Sequence, residues 1–474
     1  METHNESTRT GGDTPARSGA WVSLFVGDEH PLLRLKAGLD WAALTAVMVT
    51  HWRAAGKNVD GGPGVRWPVP LYVPLLVLMW VKAYHARQME EYLSESVVAR
   101  RFLDLQEPEV KPMRDHASIA RAEAALGAEG KAAVNALIIQ TAVQRQYTDG
   151  EILSSDTTVQ EPAIGYPNEP GIVKGWAERL ARALHKLKIR GVKGAREGIA
   201  QAQAIYRQVK QHQLFAKTKA EKQKILAELV TTSAQLQATT QTVLAQVSAR
   251  CGQVKQRAAA PLRRLVAVSQ TLLPQIRQWL TTGKVATEKI IHAGLSQARA
   301  IPKGKGRVKF GMKWLLHRLR GGYLFGHRVA PRADENQLPL ESVKDYRALF
   351  GPQATPKLVV YDRGASLGAV APKLRQAGVQ QVGIPPRGQG PWQVGKQDQR
   401  VVKSQRGQTE GSIGRLKSRK YSFSHRRERS HATQDAAGQR ALVSVNLNTF
   451  LRDVVAPAQA ARRTGNVVNR SHSE

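Results

Sequence analysis

The sequence is poor in cysteine and in acidic residues. Its 474 residues include one cysteine, Cys251, which excludes an internal disulfide framework and a cysteine-rich zinc site and favours a reducing, cytosolic compartment. Asp and Glu number 37 against 71 Lys and Arg, so the formal net charge is +34. Because 42% of the residues are hydrophobic, the chain is expected to fold, and its charge indicates a polyanionic partner. Nucleic acid is the leading candidate and an anionic membrane is the alternative.

Long hydrophobic segments are also missing. The longest apolar run, residues 67–81, has 15 residues and three prolines, whereas a membrane span needs roughly 20 apolar residues. Residues 1–20 are polar and lack the apolar centre of a signal peptide, so we expect a disordered leader there. Neither segment predicts a membrane anchor.

Apolar periodicity divides most of the chain into helical regions. Residues 21–150 have apolar residues at three- and four-residue spacing, which predicts a helical N-terminal domain. This domain could be a simple bundle or a DNA-binding head. Residues 173–303 repeat apolar residues at heptad spacing and are expected to form a basic helical insertion of coiled-coil-like helices. Residues 171–330 carry a net charge of +26, which favours a surface that faces nucleic acid.

The remaining segments indicate an α/β core. Residues 151–172 begin with a strand-like run, and residues 304–456 read as a hairpin, a helix, a strand, a helix, a strand and a basic helix at 398–420. Residues 457–474 are polar and are expected to form a flexible tail.

Three acids occupy notable positions in this core. Asp156 ends the first strand, Asp362 follows the strand KLVVY, and Glu410 lies in the basic helix. Singly, each could be a turn, cap or ion-pair residue. Together with a polyanion-binding surface they suggest a carboxylate cluster for Mg²⁺, because hard divalent cations prefer carboxylate and phosphate oxygens. Two such ions could clamp both oxygens of a phosphoryl displacement.

The helix around Glu410 places charges of both signs on one face. Lys403, Arg406 and Lys417 lie within about 40° of Glu410 on a helical projection. This pattern suits a metal-ligating Glu flanked by phosphate-binding cations, and the alternative is a surface ion-pair stripe. Because the helix contains three glycines, we expect it to fray until DNA binds.

Further residues are candidates for nucleic-acid contacts. A basic run interrupted by glycines allows close approach of phosphates, although it could also be a flexible junction. Trp392 could stack on a base. The candidates outside the Glu410 face are Lys303, Lys305, Arg307, Lys309, Trp392, Arg415, Arg419 and Lys420.

Residues 70–450 resemble DDE transposases of bacterial insertion sequences. Arg406, Glu410 and Lys417 match the Arg-x3-Glu-x6-Lys signature, and the stretches LVVYDRGASLGAVAPKL and RGQTEGSIGRLKSRKYSFS look like blocks of that family. The resemblance implies a ribonuclease-H-like core in which Asp156, Asp362 and Glu410 hold Mg²⁺ or Mn²⁺, with two ions expected. It also implies cleavage of double-stranded DNA at transposon ends and strand transfer to target DNA, with a homodimer as the expected assembly.

The chain departs from the family at one signature position. Lys403 stands where the signature has a Tyr, which the family associates with positioning DNA at the transposon end. Two other hypotheses therefore stay open. The chain could be a catalytically inactive DNA-binding or architectural protein derived from a transposase, or a basic coiled-coil scaffold.

Overall fold

A computed structural model describes the chain in seven ranges, and it is mostly helical with one mixed sheet. The predicted leader and Lys305 lie outside the described residues. The described ranges are 26–60, 67–105, 115–247, 251–303, 306–386, 390–424 and 430–470.

Seven helices precede the first strand within these ranges. Helix α3 is almost entirely apolar, and its side chains from Tyr72 to Val81 are buried except for that of Pro74. Among the described residues no single helix is long and apolar enough to cross a membrane; α3 and α4 reach that length only as a pair bent by 102°. The seven helices are α1 (Pro31–Gly38), α2 (Trp41–Ala54), α3 (Val69–Lys82), α4 (Ala86–Glu95), α5 (Val97–Phe102), α6 (His116–Ala125) and α7 (Gly127–Gln144).

Four long helices follow the first strand and share a hydrophobic core of their own. Trp176, Leu229 and Leu262 lie in this core, and Leu229, Leu236 and Val243 are buried at the heptad spacing that the sequence showed. The helices are α8 (Glu169–Lys188), α9 (Ala195–Leu214), α10 (Lys219–Ala245) and α11 (Gln253–Thr282).

The helical prediction was wrong at the end of this region. Helix α11 ends at Thr282, where Gly283 adopts the left-handed conformation (φ 65°), and Arg299–Lys303 forms strand β2. Strand β2 pairs antiparallel with the outer half of a 13-residue strand, β3 (Arg307–Leu319). The five residues of β2 have no clear alternation, so this pairing with β3 and not the local pattern fixes their conformation.

The sheet has β1 (Ile152–Gln160) at its centre. Strand β3 pairs antiparallel with one edge of β1, and β5 (Leu358–Val360) pairs parallel with the other. Strand β6 (Gln381–Gly383) extends the parallel side, and β4 (Leu324–Arg328) pairs antiparallel with β3. The sheet is therefore antiparallel on one side of β1 and parallel on the other.

Helices connect and cover these strands, and the three helices predicted within residues 304–456 are confirmed, the basic one ending at Leu416 and not at residue 420. Residues 457–470, predicted to form a flexible tail, continue the last helix, which their Ala and Arg content favours. The helices are α12 (Leu338–Phe350), α13 (Leu367–Gln376), α14 (Lys396–Leu416) and α15 (His431–Arg470).

Replacing two helix glycines with Ala should change the free energy of unfolding in opposite directions. A methyl group on Gly438 of α15 would overlap the buried indole of Trp314, whereas one on Gly407 of α14 would meet nothing within 4 Å. We expect Gly438→Ala to lower the free energy of unfolding by about 1–3 kcal/mol through overpacking. Gly407→Ala should raise it by up to about 1 kcal/mol through helix propensity. Urea unfolding followed by circular dichroism measures both, and a stabilising Gly438→Ala would contradict the packing.

Candidate active site

The parallel pairing of β1 and β5 brings two of the predicted acids together. Ser154 lies opposite Val360 in the register of these strands. Asp156 and Asp362 each follow two residues later, so they lie side by side on the same face where β5 ends. The prediction that Asp156 ends its strand was wrong, because pairing with β3 continues β1 to Gln160. An acid from the middle of β1 therefore lies near an acid from the loop after β5.

Helix α14 brings the third acid to the same place. Val402, Gln405, Thr409, Ile413 and Leu416 form its buried face. The hydroxyl of Thr409 donates a hydrogen bond to Oγ of Ser154 (2.7 Å), which ties the helix to β1. Glu410 and Arg406 neighbour this buried face, and both reach the opening above the strands.

One small pocket collects these side chains. It has a volume of about 60 Å³ and is lined by Ser154, Ser155, Asp156, Asp362, Arg406, Thr409 and Glu410. Pockets for drug-sized ligands have roughly 300–1,000 Å³, so this one has room for ions and waters but not for a nucleotide. Across the described ranges, no three His, Cys, Asp or Glu side chains lie close enough together to form a ready metal site.

The three acids differ in their hydrogen bonding. Oδ1 of Asp156 accepts from the amide of Thr157 (2.6 Å), and Oδ1 of Asp362 accepts from the amide of Gly364 (2.9 Å). Glu410 is exposed and makes no hydrogen bond or ion pair with any described residue. An ion-pair stripe around Glu410 is therefore absent from the described part of the chain.

A neighbouring cluster went unrecognised in the sequence. Glu335, in the loop before α12, accepts hydrogen bonds from Lys313 (2.6 Å) and from the hydroxyl of Tyr361 (2.8 Å). Burial raises the pKa of Tyr361, and the charges of Glu335, Asp362 and Asp156 raise it further. Acids from three separate segments thus act on one hydroxyl, although nothing in the loop sequence marked Glu335.

A second unrecognised group lies behind β1. Ser155 and His317 are joined by a hydrogen bond (2.9 Å), and His317 and His327 both contact Oδ2 of Asp345, at 2.7 and 3.0 Å. His317 is fully buried, and burial lowers its pKa. This chain of hydrogen bonds connects the residue next to Asp156 with β3, β4 and α12.

The basic hairpin of β2 and β3 only partly fits the nucleic-acid prediction. Lys303 lies opposite Arg307 across the hairpin. Arg307 is exposed and has no partner among the described residues, whereas Lys309 donates to Glu161 (2.6 Å). Of the two cations of this group whose side chains the structure describes, Arg307 and Lys309, Arg307 is therefore the available one.

The candidates near α14 are divided between surface and core. Lys403 is exposed and lacks a described partner, and Arg419 is exposed as well. Arg415 donates to Thr449 on α15 (2.8 Å). The remaining two are Lys417, which is half-buried, and Lys420, which donates to Asn448 (3.0 Å).

Trp392 packs inward. Its half-buried indole lies against the cluster of Leu358, Val360 and Val402, between the sheet and α14. Its observed contacts support the packing of α14.

Comparison of the chain with protein families, with curated proteins and with solved structures found no match.

The histidine cluster predicts a pH-dependent stability. The hydrogen bond to Asp345 raises the pKa of His327 to about 9, against an ordinary 6.5. Because the pKa is raised in the folded state, protonation of His327 stabilises the fold. This contribution is fully present below pH 6.5 and is lost as the pH rises through 9. Its size should be on the order of 1 kcal/mol, because the imidazole is 39% exposed and screened by solvent.

We therefore expect the native chain to lose more stability than His327→Gln between pH 6.5 and 9. Urea unfolding of both proteins at half-unit pH intervals measures the difference. Parallel stability profiles across this window would contradict the assignment.

Proposed function

We propose that this protein is a metal-dependent DNA transposase whose α/β part is a ribonuclease-H-like catalytic core. The observation that carries the proposal is that Asp156, Asp362, Glu410 and Arg406 come from three distant segments and line one pocket. Their order along the chain and the spacing of Arg406 and Glu410 are those of the family that the sequence resembles.

The donor set of the pocket fits Mg²⁺ or Mn²⁺. Asp156, Asp362 and Glu410 offer carboxylate oxygens, which hard divalent cations prefer, and Glu410 has no competing partner among the described residues. One or two ions bound there would polarise the scissile phosphate and neutralise charge on the oxygens that attack and leave. Arg406, also without a described partner, would bind a phosphate oxygen at the mouth of the pocket.

The charge of the chain supports a DNA substrate. Residues 171–330 include most of the helical insertion and the hairpin with Arg307, and they carry a net charge of +26. Because the pocket is too small for a nucleotide, the duplex would lie across its mouth and be held by cations around it. We place the protein in the bacterial cytoplasm, at the nucleoid when it binds DNA, and the two ends of an element would suit a homodimer.

Removing one carboxylate should separate cleavage from binding. Asp362→Asn leaves the shape of the pocket intact but removes a charged ligand, so we expect strand cleavage to fall at least about 100-fold. Binding should change little, since phosphate contacts dominate affinity. The assay uses labelled duplex carrying the ends of the element that encodes the chain, with Mg²⁺ for cleavage and Ca²⁺ for binding.

Asp398→Asn is the matched control for this experiment. Asp398 lies in the first turn of the same helix, α14, where it accepts a hydrogen bond from Gln381 and does not line the pocket. Its cleavage rate should stay near that of the native chain. Unchanged cleavage in Asp362→Asn would refute the catalytic assignment.

Two observations favour the inactive, DNA-binding alternative. Within the described residues the three acids line the pocket without forming a ready metal site, and Lys403 replaces the Tyr of the signature. This alternative predicts that the native chain binds end DNA with normal salt dependence but never cleaves it with Mg²⁺ or Mn²⁺. The assay above therefore distinguishes the two functions.

A further inference from the structure

A buried arginine beneath the pocket has no acidic partner. The residue is Arg318 on β3, which is 6% exposed and lies opposite Ser154 of β1. Among the described residues no carboxylate pairs with it. Burying an unpaired guanidinium is unfavourable by itself, so the hydrogen bonds that Arg318 makes must offset that penalty.

All three side-chain hydrogen bonds of Arg318 go to one helix. Its Nε donates to Oγ of Ser412 (3.2 Å), Nη1 to Oε1 of Gln405 (2.8 Å), and Nη2 to Oε1 of Gln408 (2.7 Å). These acceptors are three, four and seven residues apart and so share one face of α14. The rigid, planar fork of a guanidinium can satisfy them together in one rotation and one register of the helix, which a Lys could not do.

Helix α14 depends on such contacts. Gly407, Gly411 and Gly414 each disfavour a helix by about 1 kcal/mol relative to Ala, and a methyl group at any of them would meet nothing within 4 Å. A slip of one residue would move Glu410 by about 1.5 Å along the helix axis and turn it by about 100°. The register of α14 therefore decides whether Glu410 reaches the pocket.

We propose that Arg318 is a positioning residue that locks α14 in the register that keeps Glu410 and Arg406 at the acid pocket. The positioning follows from the contacts above, while its consequence for catalysis rests on the proposed function. Arg318 acts through α14 and does not line the pocket.

A disulfide cross-link between α14 and β1 reports the register of α14 directly, and this measurement does not depend on DNA cleavage. The hydroxyl oxygens of Ser154 and Thr409 are 2.7 Å apart, so cysteines there should form a disulfide only when α14 is in register. The experiment uses the full chain with Cys251→Ala, Ser154→Cys and Thr409→Cys, and follows disulfide closure by gel shift after oxidation. We expect Arg318→Met to slow closure at least about tenfold, because it removes three charge-assisted hydrogen bonds.

The matched control is Arg440→Met. Arg440 is also 6% exposed, but it lies on α15 and pairs with Glu123, away from α14. It should leave the closure rate unchanged although it destabilises the protein. Gln408→Ala removes one acceptor, on an exposed residue, and it keeps the test available if Arg318→Met does not fold. This variant should slow closure by a smaller factor.

The proposal is overturned if the disulfide closes equally fast with and without Arg318. If Arg318→Met does not fold, an undiminished closure rate in Gln408→Ala overturns it. In the cleavage assay, Arg318→Met should lower the rate and leave end-DNA affinity unchanged. If the native chain never cleaves DNA, the proposed function is refuted. The positioning proposal is tested separately, because the closure rates still decide whether Arg318 sets the register of α14.

Discussion

The site depends on the parallel pairing of β1 with β5. This pairing places Asp156 beside Asp362, and two neighbouring carboxylates repel each other unless other groups stabilise their charge. The structure supplies an amide hydrogen bond to each of them, and it places Arg406, which has no partner among the described residues, in the same pocket. A divalent cation would complete this compensation, which is the physical reason for reading the pocket as a metal site.

The rest of the fold holds that pair in place from both sides. On one face of β1, Ser155 joins the buried chain through His317 and Asp345 to β3 and α12. On the other, Thr409 and the contacts of Arg318 fix α14 against the sheet. The helical insertion has its own hydrophobic core, so it can enter the chain between β1 and β2 and carry positive charge without disturbing this arrangement.

The sequence predicted the parts of this structure that have local signals. Alternation and short apolar runs located β1, β3 and β5, heptad spacing located the insertion helices, and the position after a strand singled out Asp362. Asp156 was singled out as a strand end, although it lies in the middle of β1. It missed β2, Glu335 and Arg318 because each is defined by a partner that is not encoded nearby. A buried Arg on a strand has the same appearance in a sequence as an exposed one, and only the position of α14 shows the difference.

The composition also left the packing of single basic and aromatic residues open. Arg415, Lys420 and Trp392 read as nucleic-acid contacts because they lie in a basic segment. In the structure Arg415 and Lys420 donate to α15, and Trp392 packs between the sheet and α14. Charge within a segment therefore does not fix the role of a single residue, and the nucleic-acid contacts stay predictions.

Replacing Mg²⁺ with Fe²⁺ tests directly whether Asp156, Asp362 and Glu410 form one metal site. With ascorbate and peroxide, bound Fe²⁺ generates hydroxyl radicals that cut the polypeptide close to the ion, and mass spectrometry locates the cuts. We expect cuts near residues 156, 362 and 410 in the same molecule, and excess Mg²⁺ should suppress all of them. Cuts at one of these segments alone, or none that Mg²⁺ suppresses, would contradict it.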